Sequence, residues 1–349
     1  MMTNSIDNSA RRTIMRALFS TIVTQVVGVA ARLRLADAIG DGEWDVADLA
    51  KIYEIPAERL NRLLRAMATL DLCRETTPGR FVLAPAGSLL RSDDSSSLLD
   101  LALLLTDKSM QDAWLNLETS LRTGRVAFHE VHGRPAFDYI AERGQLSEIF
   151  NSAMSQRTRA DGVTAALPDH YDFGRFGAIT DVGGGDGTLM AAILKRHPGP
   201  SGVVFDTAEG LAQATRILDI AGVSGRCKVA AGDFRQSVPA GSDLYVIKSV
   251  MHNWDDEHAV AILRNCRAAV AEGGRLLIVE PVLPDTVPTE HTMTEDPYLS
   301  DLSMMLLLGG RERTRGDYER LCARAGFALT RMIALPRHID FAMIEAEPI

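Results

Sequence analysis

Residues 181–187 read DVGGGDG, which places four glycines in seven positions directly after the apolar-leading run FGAIT. A backbone this bare is typical of an ordinary surface turn. It is equally typical of a strand-to-helix turn in which the missing side chains let a ligand lie against the main chain, facing the N-terminus of the next helix. The sequence on either side of the turn decides between these two interpretations.

The chain after residue 175 alternates short apolar runs with segments of helical periodicity. The runs are AITDV, GVVFD, CKVAAGDF, DLYVIKS and RLLIVEPVL, and the helical segments include LMAAILKRH and EHAVAILRNCRAAVA. This alternation predicts a parallel α/β sheet with short crossovers. DVGGGDG then follows a strand and precedes a helix, on the edge of the sheet where ligands bind.

The composition narrows the class of protein. The 349 residues are 46% hydrophobic and 24% charged, which is typical of a soluble globular chain of one or two domains. A formal net charge of -9 argues against a nucleic acid as the main partner. Cys73, Cys227, Cys266 and Cys322 lie far apart without a CxxC pair, so we expect reduced thiols and a cytoplasmic protein. We see no run of about 18 apolar residues and expect neither export nor membrane spanning.

The first hundred residues predict a helix-turn-helix with a wing. A helix is expected from Thr13 to Leu35, with Gly40 ending the helical run. Asp45 then caps a short helix, Pro56 starts a second one, and FVLAP forms the wing strand. Such a module serves either DNA binding or dimerisation, and the acidic chain favours dimerisation.

A helical pattern continues over residues 97–162. This segment is rich in aromatic and sulfur side chains, namely Met110, Trp114, Phe128, Phe137, Tyr139, Phe150 and Met154. By the pattern alone, such a stripe is more typical of a core than of a pocket.

Acidic residues follow three of the predicted strands. Asp181 ends the first, and Asp206 stands 25 residues later (206 − 181), where a carboxylate suits ribose hydroxyls. Asp233, in VAAGDF, could reach an adenine or be an ordinary turn residue. A dinucleotide would need a third glycine where Thr188 stands, and its pyrophosphate would be repelled by Asp181, so the pattern favours the sulfonium cofactor S-adenosylmethionine.

The stretch DLYVIKSVMHNWDDEHAVAIL places Lys248 at the end of a predicted strand and His252 just beyond it. A histidine at this edge is a candidate general base, while the acidic trio after it is typical of helix capping. Glu280 ends an otherwise apolar strand, where a carboxylate costs desolvation unless it does something, such as orient an imidazole. Glu312, between two arginines, reads by itself as a solvated charge.

Taken together, these motifs resemble the small-molecule O-methyltransferases of the plant caffeate and isoflavone type and their bacterial natural-product relatives. DVGGGDG, FD, GDF, KSVMHNWDDE, IVEPVLP and GGRERT occur in the family's order and spacing, and the winged helix and FNSAM match as well, so the resemblance covers nearly the whole chain. It implies a Rossmann-like class I methyltransferase domain with an N-terminal, mostly helical winged-helix dimerisation domain. We expect the dimerisation domain at 1–105, a helical linker and substrate-pocket segment at 106–175, and the cofactor-binding catalytic domain at 176–349.

The resemblance also implies roles for particular residues. His252 is similar to the family's base, and Glu280 and Glu312, which follow it by 28 and 60 residues, to the acids flanking that base. Expected cofactor contacts are Asp181, Gly183, Gly185, Asp206, Asp233, Phe234 and Lys248. Expected substrate-pocket residues are Trp114, Phe150, Met154, Asn253 and Met304, which for Phe150 and Met154 reverses the interpretation as core.

Two positions depart from the family's pattern, and no metal is expected. Asn253 stands where the family usually has an aspartate, and Thr207-Ala208 replaces its usual Leu-Pro. His258 and His291 have no recognisable ligand pattern around them.

We therefore predict methylation of a phenolic hydroxyl on an aromatic small molecule, in natural-product and antibiotic biosynthesis. The enzyme is expected to use S-adenosylmethionine and to be a cytoplasmic homodimer that assembles through the N-terminal domain, without a nucleic-acid or membrane partner. Two alternatives stay open. One is C-methylation of an electron-rich phenolic ring with the same base, and the other is a ligand-responsive winged-helix DNA-binding regulator.

Overall fold

The computed structural model describes residues 8–288, 297–336 and 339–349. The chain divides into two compact units, Met1–Lys108 and Ser109–Ile349. The helical segment expected at 106–175 lies almost wholly in the second unit, and the three-part division of the chain stays a prediction.

The first unit is mostly helical. Its helices are α1 (Asn8–Arg32), α2 (Leu35–Ile39), α3 (Val46–Tyr53), α4 (Ala57–Thr69), α5 (Pro85–Ser88) and α6 (Leu99–Leu105), and its strands are β1 (Trp44–Asp45), β2 (Cys73–Thr77) and β3 (Arg80–Leu83). The strands pair antiparallel in the order β1-β3-β2. The Asp45 carboxylate accepts the N–H of Ala47 at 2.8 Å, and Pro56 directly precedes α4. The predicted helix pair and its wing are confirmed.

Helix α1 exposes an apolar side. Within α1 only Gly28, Ala30 and Ala31 are buried. The exposed large apolar residues of the helix are Ile14, Met15, Leu18, Phe19, Ile22 and Val23. By length and composition α1 could cross a membrane, with a mean hydropathy of 1.6 and 17% of its apolar window buried, although no such helix was expected from the sequence. An apolar surface of this kind marks an interaction site.

The second unit combines helices with the large sheet. Its helices are α7 (Lys108–Trp114), α8 (Leu117–Thr123), α9 (Ala127–His132), α10 (Ala136–Ala141), α11 (Gly144–Ala160), α12 (Val163–His170), α13 (Thr188–Arg196), α14 (Ala214–Ile220), α15 (Asp256–Ala269), α16 (Pro297–Leu307) and α17 (Arg315–Arg324). Its strands are β4 (Ala178–Val182), β5 (Ser201–Asp206), β6 (Cys227–Ala231), β7 (Leu244–Lys248), β8 (Arg275–Glu280), β9 (Val282–Leu283), β10 (Arg313–Thr314), β11 (Phe327–Ala334) and β12 (Ala342–Pro348).

Seven of these strands form one sheet in the order β11-β12-β8-β7-β4-β5-β6. Strands β4 to β8 are parallel to one another, and the five apolar runs predicted as strands all form them. The last two strands, β11 and β12, are antiparallel additions that were not predicted. Strand β12 carries two glutamates, of which Glu345 is buried against Arg175 and Arg331, so its sequence does not read as an apolar strand.

The strand order places the site. From β4 the chain proceeds outward to β5 and β6, then returns to form β7 on the opposite side of β4. Such a reversal opens a crevice at the carboxyl ends of the strands. The central strands are buried on both faces, as Val246 and Ile247 of β7 show, so only the strand ends reach a ligand.

Candidate active site

The loop between β4 and α13 is shaped by its glycines. Gly183 and Gly185 adopt φ values of +74° and +52°, which favour glycine. A Cβ at Gly183 would lie 2.5 Å from Val250 Cγ2, whereas a Cβ at Gly185 would have no heavy atom within 4 Å. The Gly185 N–H donates to Asp206 Oδ2 at 2.9 Å, which joins the loop to the end of β5. The interpretation of the turn as a strand-to-helix loop that lets a ligand lie against the main chain agrees with this arrangement.

Two carboxylates lie at this loop. Asp181 is 1% exposed, and its Oδ2 has no hydrogen-bond partner among the described residues. Burial raises the pKa of Asp181 to about 7, the Asp206 charge adds to the rise and the Lys248 charge opposes it. Burial also raises the pKa of Asp206, although it accepts the N–H groups of Thr207 and Gly185. A buried carboxylate oxygen without a partner fits a ligand that carries N–H donors and positive charge.

Aromatic residues flank the end of β6. Phe234 meets Trp254 edge-on with ring centroids 6.4 Å apart, and the Arg235 guanidinium lies 5.4 Å from the Trp254 centroid. Arg235 also binds Asp233, with Nε 2.9 Å from Oδ1. The predicted Asp233 and Phe234 therefore lie beside Trp254, for which the sequence motifs predicted no role. The Trp254 Nε1 atom is buried without a partner among the described residues.

His252, Glu280 and Glu312 come together in a buried cluster. His252 lies in a short 3₁₀ helix, Met251–Asn253, just beyond β7. Its Nδ1 is 2.9 Å from Glu312 Oε1 and 3.7 Å from Glu280 Oε2. The histidine is 6% exposed and the two acids are almost completely buried.

Glu280 was expected to orient the imidazole, but the two acids contact the histidine segment in a different way. Glu312, rather than Glu280, makes the direct hydrogen bond to the imidazole. Glu280 uses its Oε1 to accept the backbone N–H groups of Val250 and Met251 at 2.8 and 2.7 Å. Glu280 therefore holds the peptide segment that leads into the histidine, with its second oxygen close to the ring.

The cluster couples the pKa values of its members. Burial disfavours the charged imidazolium, but Glu280 and Glu312 outweigh it, so the pKa of His252 is raised above its ordinary value. Burial together with the neighbouring Glu312 charge raises the pKa of Glu280, against the opposing effect of His252. For Glu312 the hydrogen bond and charge of His252 overcome burial and lower its pKa. The two carboxylates thereby favour the protonated form of the buried imidazole.

Glu312 is held by the helix that precedes it. Ser300 Oγ donates to Glu312 Oε1 at 2.8 Å, and Asp301 Oδ1 accepts the Glu312 N–H at 2.8 Å. Both residues lie on α16, and neither was predicted. Strands β9 and β10 pair in parallel next to the cluster, which brings the chain after Glu280 alongside the chain after Glu312.

Arg313 supports the segment that carries the histidine. Its guanidinium is fully buried, and it donates to the Met251 carbonyl at 2.7 Å and to the Trp254 carbonyl at 2.8 Å. It also pairs with Asp256 at 2.8 Å. The acidic trio after His252 therefore does more than cap α15, because Asp255 accepts the His258 N–H while Asp256 neutralises this buried arginine.

Three of the predicted substrate residues lie on helices of the second unit. Phe150 of α11 meets Phe137 edge-on at 6.0 Å, and Phe137 lies 6.0 Å from Trp254 between centroids. Met154 lies one turn after Phe150 on α11 and is half-buried. Trp114 ends α7 and is half-buried. The roles of Phe150, Met154 and Trp114 stay predictions.

The loop after α16 lies close to the backbone of the histidine segment. The backbone carbonyl of the buried Met304 accepts the Gly310 N–H at 3.2 Å, and a Cβ at Gly310 would lie 2.1 Å from the His252 carbonyl oxygen. The Asn253 amide donates to the Ser249 carbonyl at 3.3 Å, so it contributes to the shape of its own loop. Met304 and Asn253 therefore lie close to the His252 segment, and their roles as pocket residues stay predictions.

The same cluster has metal-ligand chemistry. Ligand atoms of His252, Glu280 and Glu312 all lie within 4.8 Å of one another. The Nδ1 to Oε1 spacing of 2.9 Å is a hydrogen-bond distance, and a metal at Nδ1 would displace the shared proton. His258 instead contacts Asp255 at 2.8 Å, and His291 lies outside the described residues. The absence of a functional metal stays a prediction.

Comparison with known proteins gives the family. Residues 114–328 match the O-methyltransferase domain, and residues 15–93 match the O-methyltransferase dimerisation domain. The chain is 42% identical over 342 residues to the O-demethylpuromycin-O-methyltransferase of Streptomyces alboniger, covering 97% of this chain and 90% of that protein. This chain belongs to the O-methyltransferase family. The predicted family is confirmed.

Solved structures extend the match to fold and cofactor. This O-methyltransferase superposes on the crystal structure of LaPhzM with a TM-score of 0.90 at 36% identity, covering 97% of this chain and 99% of that one. An O-methyltransferase from neocarzinostatin biosynthesis, solved with S-adenosylmethionine and 2-hydroxy-5-methyl naphthoic acid, gives 0.79 at 31% identity, covering 94% and 96%. The predicted class I methyltransferase fold, the helical dimerisation domain and the cofactor S-adenosylmethionine are confirmed.

The residues at the strand ends of this methyltransferase fit S-adenosylmethionine. The glycine loop, the unpartnered Asp181 oxygen and the carboxylate of Asp206 would hold it. The protein is an O-methyltransferase of natural-product biosynthesis, like its relatives. The alternatives of C-methylation and DNA-binding regulation are not favoured.

Proposed function

We propose that the enzyme methylates a phenolic hydroxyl of an aromatic small molecule, with His252 as the general base. The observation that carries this proposal is the buried imidazole whose Nδ1 is hydrogen-bonded to Glu312. With the proton on Nδ1 shared with that carboxylate, Nε2 carries the lone pair that can accept a proton.

The chemistry requires such a base. A phenol with a pKa of about 10 is a weak nucleophile at neutral pH, so its proton must leave as the new C–O bond forms. S-adenosylmethionine supplies an electrophilic methyl group on a sulfonium. His252 Nε2 takes the phenol proton, and the Glu312 carboxylate stabilises the resulting imidazolium through Nδ1–H. Glu280 adds a second negative charge and holds the backbone of Val250 and Met251.

Aromatic side chains support an aromatic acceptor. Phe150, Phe137 and Trp254 form a continuous series of ring contacts beside the segment of the base. Ring faces of this kind stack on flat substrates. The neocarzinostatin relative was solved with a hydroxylated naphthoic acid, which is an acceptor of the same chemical kind.

We also infer a cytoplasmic homodimer. The exposed apolar residues of α1 from Met15 onward lie inside the match to the dimerisation domain, which supports their burial against a second subunit. All four cysteines are buried free thiols, as expected in a reducing compartment.

The test is transfer of a radiolabelled methyl group to a panel of phenols, catechols and hydroxyquinones. His252→Ala should lower kcat by roughly two to four orders of magnitude while retaining the affinity for S-adenosylhomocysteine. His258→Ala serves as the matched control, because His258 is an exposed histidine six positions away, and it should retain the wild-type rate. Addition of a chelator should leave the rate unchanged.

Three results would contradict the proposal. If His252→Ala keeps the wild-type rate, His252 is not the general base. Label on a ring carbon would show that the acceptor atom is carbon instead of the phenolic oxygen. Loss of activity with chelator would show that the cluster of His252, Glu280 and Glu312 binds a functional metal.

A further inference from the structure

Lys248 lies level with the glycine loop. Strands β4 and β7 are parallel neighbours, with Asp181 opposite Val246. Gly183 and Lys248 each follow these partners by two residues, so they reach the same carboxyl edge of the sheet. The positive charge of Lys248 also opposes the raised pKa of Asp181, in agreement with this placement.

A lysine at this place poses an electrostatic problem. S-adenosylmethionine carries a permanent positive charge on sulfur, and two cations close together in a partly dehydrated site repel each other. The demethylated product S-adenosylhomocysteine has a neutral sulfur. An uncompensated Lys248 would therefore favour product over cofactor.

Asp161 provides the compensation. Its Oδ2 lies 2.7 Å from Lys248 Nζ, and the two side chains are only 11% and 7% exposed. Its other oxygen accepts the Val163 N–H at 2.8 Å, which fixes the carboxylate at the turn between α11 and α12. A buried pair of this geometry is poorly screened by salt.

We propose that Asp161 is a charge-compensating residue of the cofactor site, which neutralises Lys248 so that the site accepts a sulfonium cation. Asp161 lies outside the glycine loop and the acidic residues at the strand ends. The proposal concerns cofactor recognition and does not depend on His252 or on the acceptor, so it can fail while the proposed function holds.

The experiment measures the affinities of wild type and variants for S-adenosylmethionine and for S-adenosylhomocysteine by calorimetry, without acceptor. Asp161→Asn keeps an oxygen for the Val163 N–H but removes the charge. It should weaken S-adenosylmethionine about fivefold or more relative to S-adenosylhomocysteine. Lys248→Met should move this ratio in the opposite direction. The double variant should return the ratio to within about twofold of wild type, because both charges are gone.

Asp169→Asn is the matched control. Asp169 forms an exposed ion pair with Arg196 at 2.6 Å in the same unit, so its loss changes the net charge equally without touching the loop. Its affinity ratio should equal that of wild type.

A purely structural role for Asp161 predicts equal weakening of both ligands. Equal weakening or an unchanged ratio in Asp161→Asn overturns the proposal. If circular dichroism shows that this variant does not fold, Lys248→Met decides, and a ratio that is unchanged or shifted toward S-adenosylhomocysteine overturns it.

Discussion

At the scale of the residue, the environment of His252 decides how the proposed base works. Both ring-facing carboxylates belong to buried glutamates, and their charges hold the pKa of the imidazole above its ordinary value despite burial. A base is active when deprotonated, so kcat/KM should rise with pH through this raised pKa and then level off. The two carboxylates therefore make His252 a stronger base, but at low pH they lower the fraction of enzyme in which the imidazole is deprotonated and active.

Glu312→Gln tests this directly. The variant removes a negative charge that raises the pKa of His252, so the rising limb of the kcat/KM profile should move to lower pH. The plateau should fall roughly ten- to a hundredfold, because the imidazolium loses its charged partner. The measurement is a pH–rate profile with the best acceptor of the panel. Glu319→Gln, which removes the acid of an exposed pair with Arg315, should leave the profile unchanged. A rising limb that stays in place in Glu312→Gln would show that His252 does not set it.

At the scale of the element, the contact between the loop after α16 and the histidine segment positions the proposed base. A Cβ at Gly310 would lie 2.1 Å from the His252 oxygen and 2.5 Å from the Asn253 carbonyl carbon. These are backbone atoms, so the added methyl would force the two segments apart rather than turn a side chain aside. Because α16 also supplies Ser300 and Asp301 to Glu312, the displacement would reach the hydrogen bond of the base.

Gly310→Ala should therefore lower kcat by about a hundredfold and destabilise the fold by about 1–3 kcal/mol, as overpacking does. Steady-state kinetics and thermal unfolding followed by circular dichroism measure the two effects. Gly225→Ala is the control, since a Cβ there has no heavy atom within 4 Å. A Gly310→Ala enzyme with normal activity and stability would show that this close approach is not required.

The elements also show what the sequence could predict. Local patterns sufficed for the five parallel strands, the glycine loop and the residue after β7 that became the candidate base. They could not predict the role of Arg313, because its two backbone acceptors at Met251 and Trp254 are far away in the chain and nothing in the local sequence indicates that this arginine is fully buried. The same holds for Asp161, whose partner Lys248 lies 87 positions away. Glu280 was singled out by its place at the end of an apolar strand and Glu312 only through the family resemblance, and which of the two bonds the imidazole could be seen only in the three-dimensional structure.

At the scale of the whole molecule, the exposed apolar side of α1 is expected to be buried against a partner surface. Leu18 and Ile22, one turn apart, are 67% and 57% exposed. Covering each such side chain contributes about 1.5–3 kcal/mol, so this face can account for much of the free energy of association. A charge on it would have to be desolvated in the dimer.

Leu18→Glu combined with Ile22→Glu should therefore convert the wild-type dimer into a monomer, measured by sedimentation velocity at micromolar protein. Ile220→Glu, at an exposed apolar position of the second unit, should remain dimeric and controls for the added charge. A wild type that sediments as a monomer would refute a dimer built on this face, and a double variant that stays dimeric would move the interface elsewhere. If the wild type instead floats with lipid vesicles and the double variant does not, the cover of α1 is a membrane surface, which its length and hydropathy allow.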